Sequence, residues 1–334
     1  MDKPTIICLT PVRNEAWILD RFLQCASLWA DHIIVLDQMS TDESPNIVSR
    51  YPKVKLVHYP SGVYEEAERR KLLVEEARRI PGPRLIISLD ADEALTANFM
   101  ISPEWQTVLK APIGSVIHFQ WVNVLNDMEN YWTSPYDYGW GFMDDGSDFT
   151  GSLIHGPRIP NPPTAPIITL RDVKVLHYQF VDWDRQESKT RWYQCWERLN
   201  HPQRRSIEVY RQYHRAHIVA PEQIHPIPDH WLRGYREKGI DMTSIYKIGR
   251  SWWDQKVLDM IDKYGAAHFR HEDIWWVDWA AVYRERYDKE PTNSMCDPRS
   301  YFDRLIHYYL RKTQPYYHKL LVRVLDQILK LFGW

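Results

Sequence analysis

The chain has 334 residues, of which 44% are hydrophobic, a size that suits one large domain or two modest ones. Lys and Arg (42) nearly balance Asp and Glu (44), so the net charge of −2 excludes a general attraction to nucleic acid, and we expect no such partner. The four cysteines lack CxxC spacing, which argues against a zinc site, and without a long apolar run or a secretory leader we expect a cytoplasmic protein.

Strands and helices alternate regularly over residues 1–125. Short apolar runs predict strands, and runs with helical spacing, capping residues or strong helix formers predict the helices between them. The predicted strands are residues 5–10, 32–37, 54–59 and 84–90, and the predicted helices are residues 15–30, 41–51 and 65–80. Such alternation predicts an α/β fold with a doubly wound, mainly parallel sheet and helices on both faces. In these sheets, ligands bind beyond the carboxyl ends of the strands.

The pattern changes after residue 125. Residues 126–166 are rich in Asp, Gly, Pro and aromatics without periodicity, which favours a functional loop. Residues 173–181 predict a further strand, and from about residue 184 the chain is mostly helical. We therefore expect a ligand-binding domain over residues 1–200 and a helical region over residues 201–334.

Three carboxylates follow the fourth predicted strand within four positions, in "SLDADE". Asp90 and Asp92, separated by one residue, can point to the same side and hold a divalent cation, with diphosphate oxygens completing its coordination. The alternative is that Asp90 or Asp92 caps a helix beginning in "EALTANF", with Glu93 in its first turn. The three residues alone do not decide between a metal site and a helix cap.

The surrounding motifs are more specific. "TPVRNEAWILDRFLQ", "VLDQMSTDES", "EAERRKLLVEEARR" and "LIISLDADE" occur in this order, each near a strand end. In their order and their residues these motifs resemble those of the family 2 glycosyltransferases, which have the nucleotide-diphospho-sugar transferase fold called GT-A. The resemblance covers residues 4–125 well and extends more loosely to about residue 200. It implies a nucleotide-diphospho-sugar donor and a divalent metal, Mn²⁺ or Mg²⁺.

The resemblance also implies roles for individual residues. The implied nucleotide-binding residues are Thr10, Pro11, Arg13, Glu15, Asp37, Arg70 and Asp90. Asp37 would accept a hydrogen bond from the base imide, Asp90 would bind the ribose, and Asp92 would bind the metal. Gln38 and Met39 stand where the family commonly has an acid and a glycine, which leaves the base open, with uracil as the default. Helix capping by Glu15 and a solvated helix position for Arg70 are the alternative interpretations.

A second metal ligand and a catalytic base are implied as well. His177, at the end of the strand in "VLHYQF", matches the family's late metal-binding histidine, and His155 is a weaker candidate. An inverting displacement needs a carboxylate base near the acceptor hydroxyl. "FMDDGSDF" offers Asp144, Asp145 and Asp148 for that role, and Asp127 and Glu129 are further candidates. We select Asp144 or Asp145, although the same acids could shape a turn around Gly146. The abundant tryptophans and tyrosines could stack on the acceptor.

The C-terminal segment, residues 312–334, predicts a basic amphipathic helix. It could lie on the inner face of a membrane, where lipid-linked acceptors occur, or dock on its own domain or on a second copy in a homo-oligomer. The sequence thus predicts a metal-dependent inverting glycosyltransferase in surface glycan assembly, which moves a sugar to a glycan or lipid-linked acceptor, with UDP-sugars as the default donors. The alternatives are a non-catalytic carbohydrate-binding protein on the same scaffold and a phosphohydrolase of the haloacid dehalogenase type.

Overall fold

The computed structural model describes residues 3–62, 65–151, 156–247, 251–291 and 295–334. The chain divides into two compact units. The sheet unit contains residues 1–181 and 224–247, and the helical unit contains residues 182–223 and 248–334. The structure thus divides the chain near residue 181 and not at residue 200, and it returns a later segment to the sheet unit.

The elements follow in chain order. The first 181 residues form β1 (Thr5–Val12), α1 (Leu19–Ala26), β2 (His32–Asp37), α2 (Ser44–Val48), β3 (Val54–His58), α3 (Glu66–Arg78), β4 (Arg84–Ser88), β5 (Glu93–Leu95), α4 (Pro103–Val108), β6 (Val116–Val124), β7 (Asn130–Met143), β8 (Ile167–Thr169) and β9 (Val175–His177). The remaining elements are α5 (Trp183–Asn200), α6 (Ser206–Tyr213), β10 (His225–Pro226), α7 (Arg233–Glu237), α8 (Trp252–Tyr264), α9 (Trp279–Tyr287), α10 (Tyr301–Thr313) and α11 (Leu320–Leu331). Short 3₁₀ turns separate several of them, as at Ala97–Met100.

One sheet organises the sheet unit, with the strand order β3-β2-β1-β4-β7-β6-β9-β5. The four N-terminal strands are parallel, because β1 pairs in parallel with both β2 and β4, and β2 with β3. Strand β7 then adds to β4 in the antiparallel sense. The predicted α/β class with a mainly parallel sheet is therefore confirmed, and the carboxyl ends of β1, β2 and β4 meet at one edge.

Both faces of the sheet are covered. Alternate residues of β1 point to opposite sides, since Ile7 and Leu9 pack with Leu73 and Val74 of α3, whereas Ile6 and Cys8 belong to the core around α1. Strands buried on both faces must be apolar throughout, which explains the uninterrupted apolar runs of β1, β2 and β4.

Residues 130–143 form a strand, although the sequence predicted a loop over residues 126–166. They form the 14-residue strand β7, which pairs with β6 through two register irregularities. Gly139 and Gly141 lie so close to β6 that a Cβ on either would come within 2.9 Å of Val116 or 2.8 Å of Ile117, respectively. The glycines therefore permit close strand packing and do not indicate a loop.

The helical unit has a core of its own, in which Ile207 and Tyr210 of α6 pack with Ile306 and Leu310 of α10 and with Trp334. Among the residues that the structure describes, no helix is both long and apolar enough to cross a membrane.

Candidate functional site

The acidic segment (residues 90–93) does not begin a helix. Glu93 is the first residue of β5, which pairs with β9 so that Glu93 stands opposite His177. The Glu93 N–H donates to the Asp90 carbonyl, and the Asp90 N–H donates to Glu93 Oε2 at 2.8 Å, which closes a tight turn. The helix-cap interpretation of Asp90 and Asp92 is therefore wrong, because the chain passes from one strand into another.

Two arginines neutralise this segment. Asp90 Oδ1 accepts from Arg70 Nη2 at 2.6 Å, and Asp90 Oδ2 accepts from Arg158 Nη2 at 2.7 Å. Arg158 Nη1 also donates to Glu93 Oε2 at 2.6 Å. The Asp90 side chain remains 35% exposed, so a ligand hydroxyl can reach it.

The surroundings of these groups explain their protonation. Burial raises the pKa of Glu93 to about 7, and the negative charge of Asp90 raises it further, while Arg158 acts in the opposite direction. Burial alone would lower the pKa of Arg158, but Asp90 and Glu93 outweigh it and raise that pKa above its ordinary value. The Arg158 guanidinium also lies 4.6 Å from the ring centroid of Trp140. Arg158 is thus a permanent cation beneath the acidic segment.

Asp92 and His177 form a second buried pair. His177 Nε2 lies 3.8 Å from Asp92 Oδ2, and His177 Nδ1 lies 2.9 Å from the side-chain oxygen of Asn123. Because an amide oxygen only accepts, His177 donates from Nδ1, and in the neutral ring Nε2 carries the lone pair toward Asp92. The ring of Trp121 stacks on His177 at 4.1 Å, and its buried Nε1–H has no partner within the described residues.

This pair can accommodate a divalent ion. A carboxylate oxygen is a suitable ligand for Mn²⁺ or Mg²⁺, and a facing imidazole nitrogen favours the transition metal Mn²⁺ over Mg²⁺. The described part of the chain contains no group of three or more His, Cys, Asp or Glu side chains arranged for a metal. Asp92 and His177 would therefore supply two ligands, and phosphate oxygens and water would supply the others, as is common for Mg²⁺.

The loops after β1 and β2 are joined to each other. The Asn14 N–H donates to Ser40 Oγ at 2.9 Å, and the Thr41 N–H donates to Asn14 Oδ1 at 2.7 Å. Asn14 and Met39 both have left-handed backbone conformations, with φ of 55° and 54°. Asn tolerates this region, whereas Met39 is strained there.

Asp37, the last residue of β2, is buried beside these loops. Its Oδ2 accepts from the Ser40 N–H at 3.3 Å, while its buried Oδ1 has no partner among the residues described. A buried carboxylate oxygen without a donor is costly, so this atom is ready to accept a hydrogen bond from a ligand.

Two arginines bind Gln38, which follows Asp37, and the nearby Gly62. Arg69 Nη1 donates to the buried Gln38 side chain at 2.9 Å, and Arg13 Nη1 donates to the Gly62 carbonyl at 3.1 Å. Burial and, next, the neighbouring charge of Arg69 lower the pKa of Arg13, against the opposing effect of Asp37. Two partly desolvated cations near each other favour an anionic ligand.

Three predicted nucleotide ligands occupy other positions than expected. Thr10 and Pro11 lie within β1, opposite Val35 and Leu36, and not in a loop. Thr10 is fully buried, although its Oγ1 has no partner in the described structure. Glu15 accepts from the indole N–H of Trp17 at 2.6 Å, and its carbonyl accepts from Ile18 and Leu19. Glu15 therefore shapes the start of α1, and the loop available to a ligand begins at Arg13.

The structure places Asp144 and Asp145, the predicted catalytic base, far from the acidic segment. The Asp144 N–H donates to the carbonyl of Arg84, the first residue of β4, so both acids lie at the opposite end of β4 from Asp90. The distance along the strand is about 20 Å. The Asp144 side chain is fully buried and paired with Arg78 and Arg84, both at 2.9 Å. Its Oδ1 also accepts from the Gly146 N–H, so the turn interpretation describes it better.

Sequence reasoning missed Arg158. It noted Arg69 only as the neighbour of Arg70, and Trp121 only among the aromatic residues that could stack on the acceptor. Arg158 stands in an irregular Pro-rich stretch far from the acidic segment in sequence, and no local pattern marks it. Arg69 directly precedes the predicted ligand Arg70, and their consecutive positions on α3 were the available signal. Adjacent helix residues point about 100° apart and can therefore reach two different strand ends. His155, the weaker metal candidate, lies outside the described residues.

The helical unit contains a cavity of about 420 Å³. Its lining includes the aromatic side chains of Trp183, Tyr213 and Trp276, together with Gln186 and Asp273. Gln186 Oε1 is buried and has no partner in the part of the chain described. Burial alone would raise the pKa of Asp273, but nearby histidines and Arg311 outweigh it and hold that pKa below its ordinary range.

Comparison with known proteins gives only partial likenesses. No protein-family model matches the chain, and no curated protein matches it. Glucosyl-3-phosphoglycerate synthase from Mycobacterium tuberculosis, solved with phosphoglyceric acid, is 17% identical over 35% of this chain and 44% of its own, with a TM-score of 0.24. 4-Diphosphocytidyl-2C-methyl-D-erythritol synthase is 12% identical over 36% of this chain and 61% of its own, with a TM-score of 0.27. Mannose-1-phosphate geranyltransferase from Thermus thermophilus is 14% identical over 40% of this chain and 49% of its own, with a TM-score of 0.28. Each match spans less than two thirds of the known structure, and the likenesses are too partial to define a family or an activity.

Proposed function

We propose that the sheet unit is a glycosyltransferase that binds a nucleoside-diphosphate sugar at the carboxyl ends of β1, β2 and β4 and transfers the sugar to an acceptor hydroxyl. One observation carries this proposal: consecutive arginines of α3 connect two strand ends. Arg69 binds Gln38 after β2, and Arg70 binds Asp90 after β4. The two strand ends that would bind the base and the ribose are thereby linked along one edge, where open α/β sheets bind ligands.

The residues divide between the parts of the donor. The unpartnered Oδ1 of Asp37 would accept the imide N–H of a uracil base. Arg13, which binds the Gly62 carbonyl, and Arg69, which binds Gln38, would face the diphosphate. Asp90, still partly exposed, would accept a ribose hydroxyl.

Asp92 and His177 would hold Mn²⁺ or Mg²⁺, which would neutralise charge on the leaving diphosphate when bound. The Trp121 indole would donate to an oxygen of the donor beside this pair. We expect inversion at the sugar carbon, with a base other than Asp144 or Asp145. The acceptor would be a glycan or lipid-linked sugar in surface glycan assembly, and the reaction would take place in the cytoplasm.

The test is hydrolysis of a panel of UDP-sugars with Mn²⁺, because transferases without an acceptor slowly transfer the sugar to water. Wild-type protein should release UDP, and Asp92→Ala should lose at least about tenfold in rate and in Mn²⁺ affinity. Asp145→Ala, with an exposed carboxylate at the far end of β4, is the matched control and should behave as wild type. Equal rates for wild type and Asp92→Ala would remove the metal role, and no UDP binding would refute the proposal.

A second candidate function is carbohydrate binding without catalysis. The cavity of the helical unit favours it, because aromatic faces and a buried amide oxygen suit the apolar and hydroxyl surfaces of a sugar. Titration with neutral oligosaccharides, followed by tryptophan fluorescence, tests this function. Binding that is lost in Trp276→Ala, together with no release of UDP by the wild type, would favour it over transfer.

A further inference from the structure

The last helix, α11, exposes most of its apolar residues. We call these residues the apolar face, and they are Leu320, Leu321, Val324, Leu325, Ile328, Leu331 and the following Phe332. Their exposed fractions range from 39% to 85%. Docking on its own unit, one of the alternatives for this helix, therefore does not cover this face. So large a contiguous apolar surface indicates an interaction site.

The opposite side fixes α11 on the helical unit. Asp326 is buried and accepts from Arg211 Nε and Nη2, both at 3.0 Å. The Tyr309 hydroxyl donates to Asp326 at 2.9 Å. Beyond the helix, Trp334 is buried and stacks on His271 at 4.3 Å. Because the helix is held at its middle and just after its end, the apolar face is directed away from the unit.

The charges around this face are mainly basic. The only acidic residue of α11 is Asp326, and it is buried in the pair with Arg211. Glu208 of α6 also lies beside the helix, where Lys330 neutralises it at 2.7 Å. Lys312, Lys319 and Arg323 are exposed. Helix α10 adds exposed apolar residues of its own, Phe302, Leu305 and Tyr308.

We infer that α11 binds the helical unit to the surface of an anionic lipid membrane. An interfacial helix has this combination of an apolar side and mainly basic exposed charges. With 12 residues, α11 is about 18 Å long and too short to span a bilayer, so it would lie in the plane of the interface. A second copy of the chain is a less suitable occupant, because a two-fold contact would bring Lys319 and Arg323 against the same basic surface. This inference does not depend on sugar transfer.

The experiment is flotation of the full chain with vesicles of phosphatidylcholine, with or without phosphatidylglycerol, alongside measurement of its mass in solution. Wild type should float with the anionic vesicles and bind neutral ones at least about tenfold more weakly. Leu321→Ser/Leu331→Ser should lose at least about tenfold in binding to anionic vesicles, and Lys319→Gln/Arg323→Gln should lose binding and salt sensitivity together. Ile101→Ser, an exposed apolar residue of the sheet unit, is the matched control and should float as wild type.

Several results would overturn the inference. Wild type that fails to float, or that binds neutral and anionic vesicles equally, excludes an anionic membrane as the occupant. A wild-type dimer that Leu321→Ser/Leu331→Ser converts to a monomer assigns the apolar face to a second copy instead. Circular dichroism of each variant checks that the helices are intact.

Discussion

Replacing Asp144 by Asn should reduce stability but leave donor binding unchanged. Asn preserves the shape of the side chain, whereas it removes the charge that pairs with Arg78 and Arg84. The Asp144 side chain is fully buried, but both arginines are about one-fifth exposed, so solvent can stabilise them in part. We therefore expect a loss of about 3 kcal/mol, at the lower end of the cost of breaking a buried pair.

The pH dependence gives a second measurement. Burial would raise the pKa of Asp144, but hydrogen bonds from Arg78, Gly146 and Arg84 outweigh it and hold that pKa below its ordinary 3.8. A carboxylate with a lowered pKa contributes stability that is fully present above the unfolded pKa and is lost as pH falls through the folded one. The difference between wild type and Asp144→Asn should therefore be constant from neutral pH to about 5 and shrink below 3.8.

Urea unfolding at several pH values measures the stability, and UDP titration measures donor binding. The UDP affinity of Asp144→Asn should equal that of wild type, because Asp144 lies at the far end of β4 from Asp90. A variant with unchanged stability and no release of UDP from UDP-sugars would refute this reasoning and return Asp144 to the active site.

Three further predictions concern the sheet unit, each measured by urea unfolding. Arg158→Met should cost about 3–5 kcal/mol because it removes the cation that pairs with the buried Glu93 and leaves Asp90 with Arg70 alone. Loss of an exposed arginine elsewhere should cost under about 1 kcal/mol, and equal losses would contradict the central role of Arg158. Met39→Gly should gain about 0.5 kcal/mol, since relief of the left-handed strain exceeds the entropy cost of glycine, and a clear loss would show that the side chain is needed. Gly141→Ala should cost about 1–3 kcal/mol because its Cβ meets Ile117 at 2.8 Å, while Gly62→Ala, with open space around it, should change little.

The N-terminal half of the fold could be predicted because its signals are local. The apolar runs of β1, β2 and β4 and the helix formers of α3 each specify one element within a short window. Strand β7 could not be predicted in the same way. Its glycines look like loop residues in sequence, and their reason, the close approach of β6, exists only in the folded sheet.

The positions of the candidate site residues were predictable to the extent that these residues follow strand ends. Asp37, Asp90 and Asp92 end or follow parallel strands, so their shared edge follows from the topology. The pairing of Asp90 with Arg158 joins residues 68 positions apart, so no periodic pattern in the sequence predicts it. Asp144 failed as a predicted base because an antiparallel strand reverses direction, which carries its end to the opposite edge of the sheet.

The return of residues 224–247 to the sheet unit affects how the protein can fold during synthesis. Tyr235 is buried and donates its hydroxyl to the Leu95 carbonyl at 2.7 Å, and Trp231 and Ile240 belong to the same core. A nascent chain that has emerged only to residue 200 therefore exposes the apolar surface that these side chains later cover. Each unit consists of two separate segments of the chain, so neither unit can be expressed as one uninterrupted piece. A fragment that ends at residue 200 should therefore aggregate.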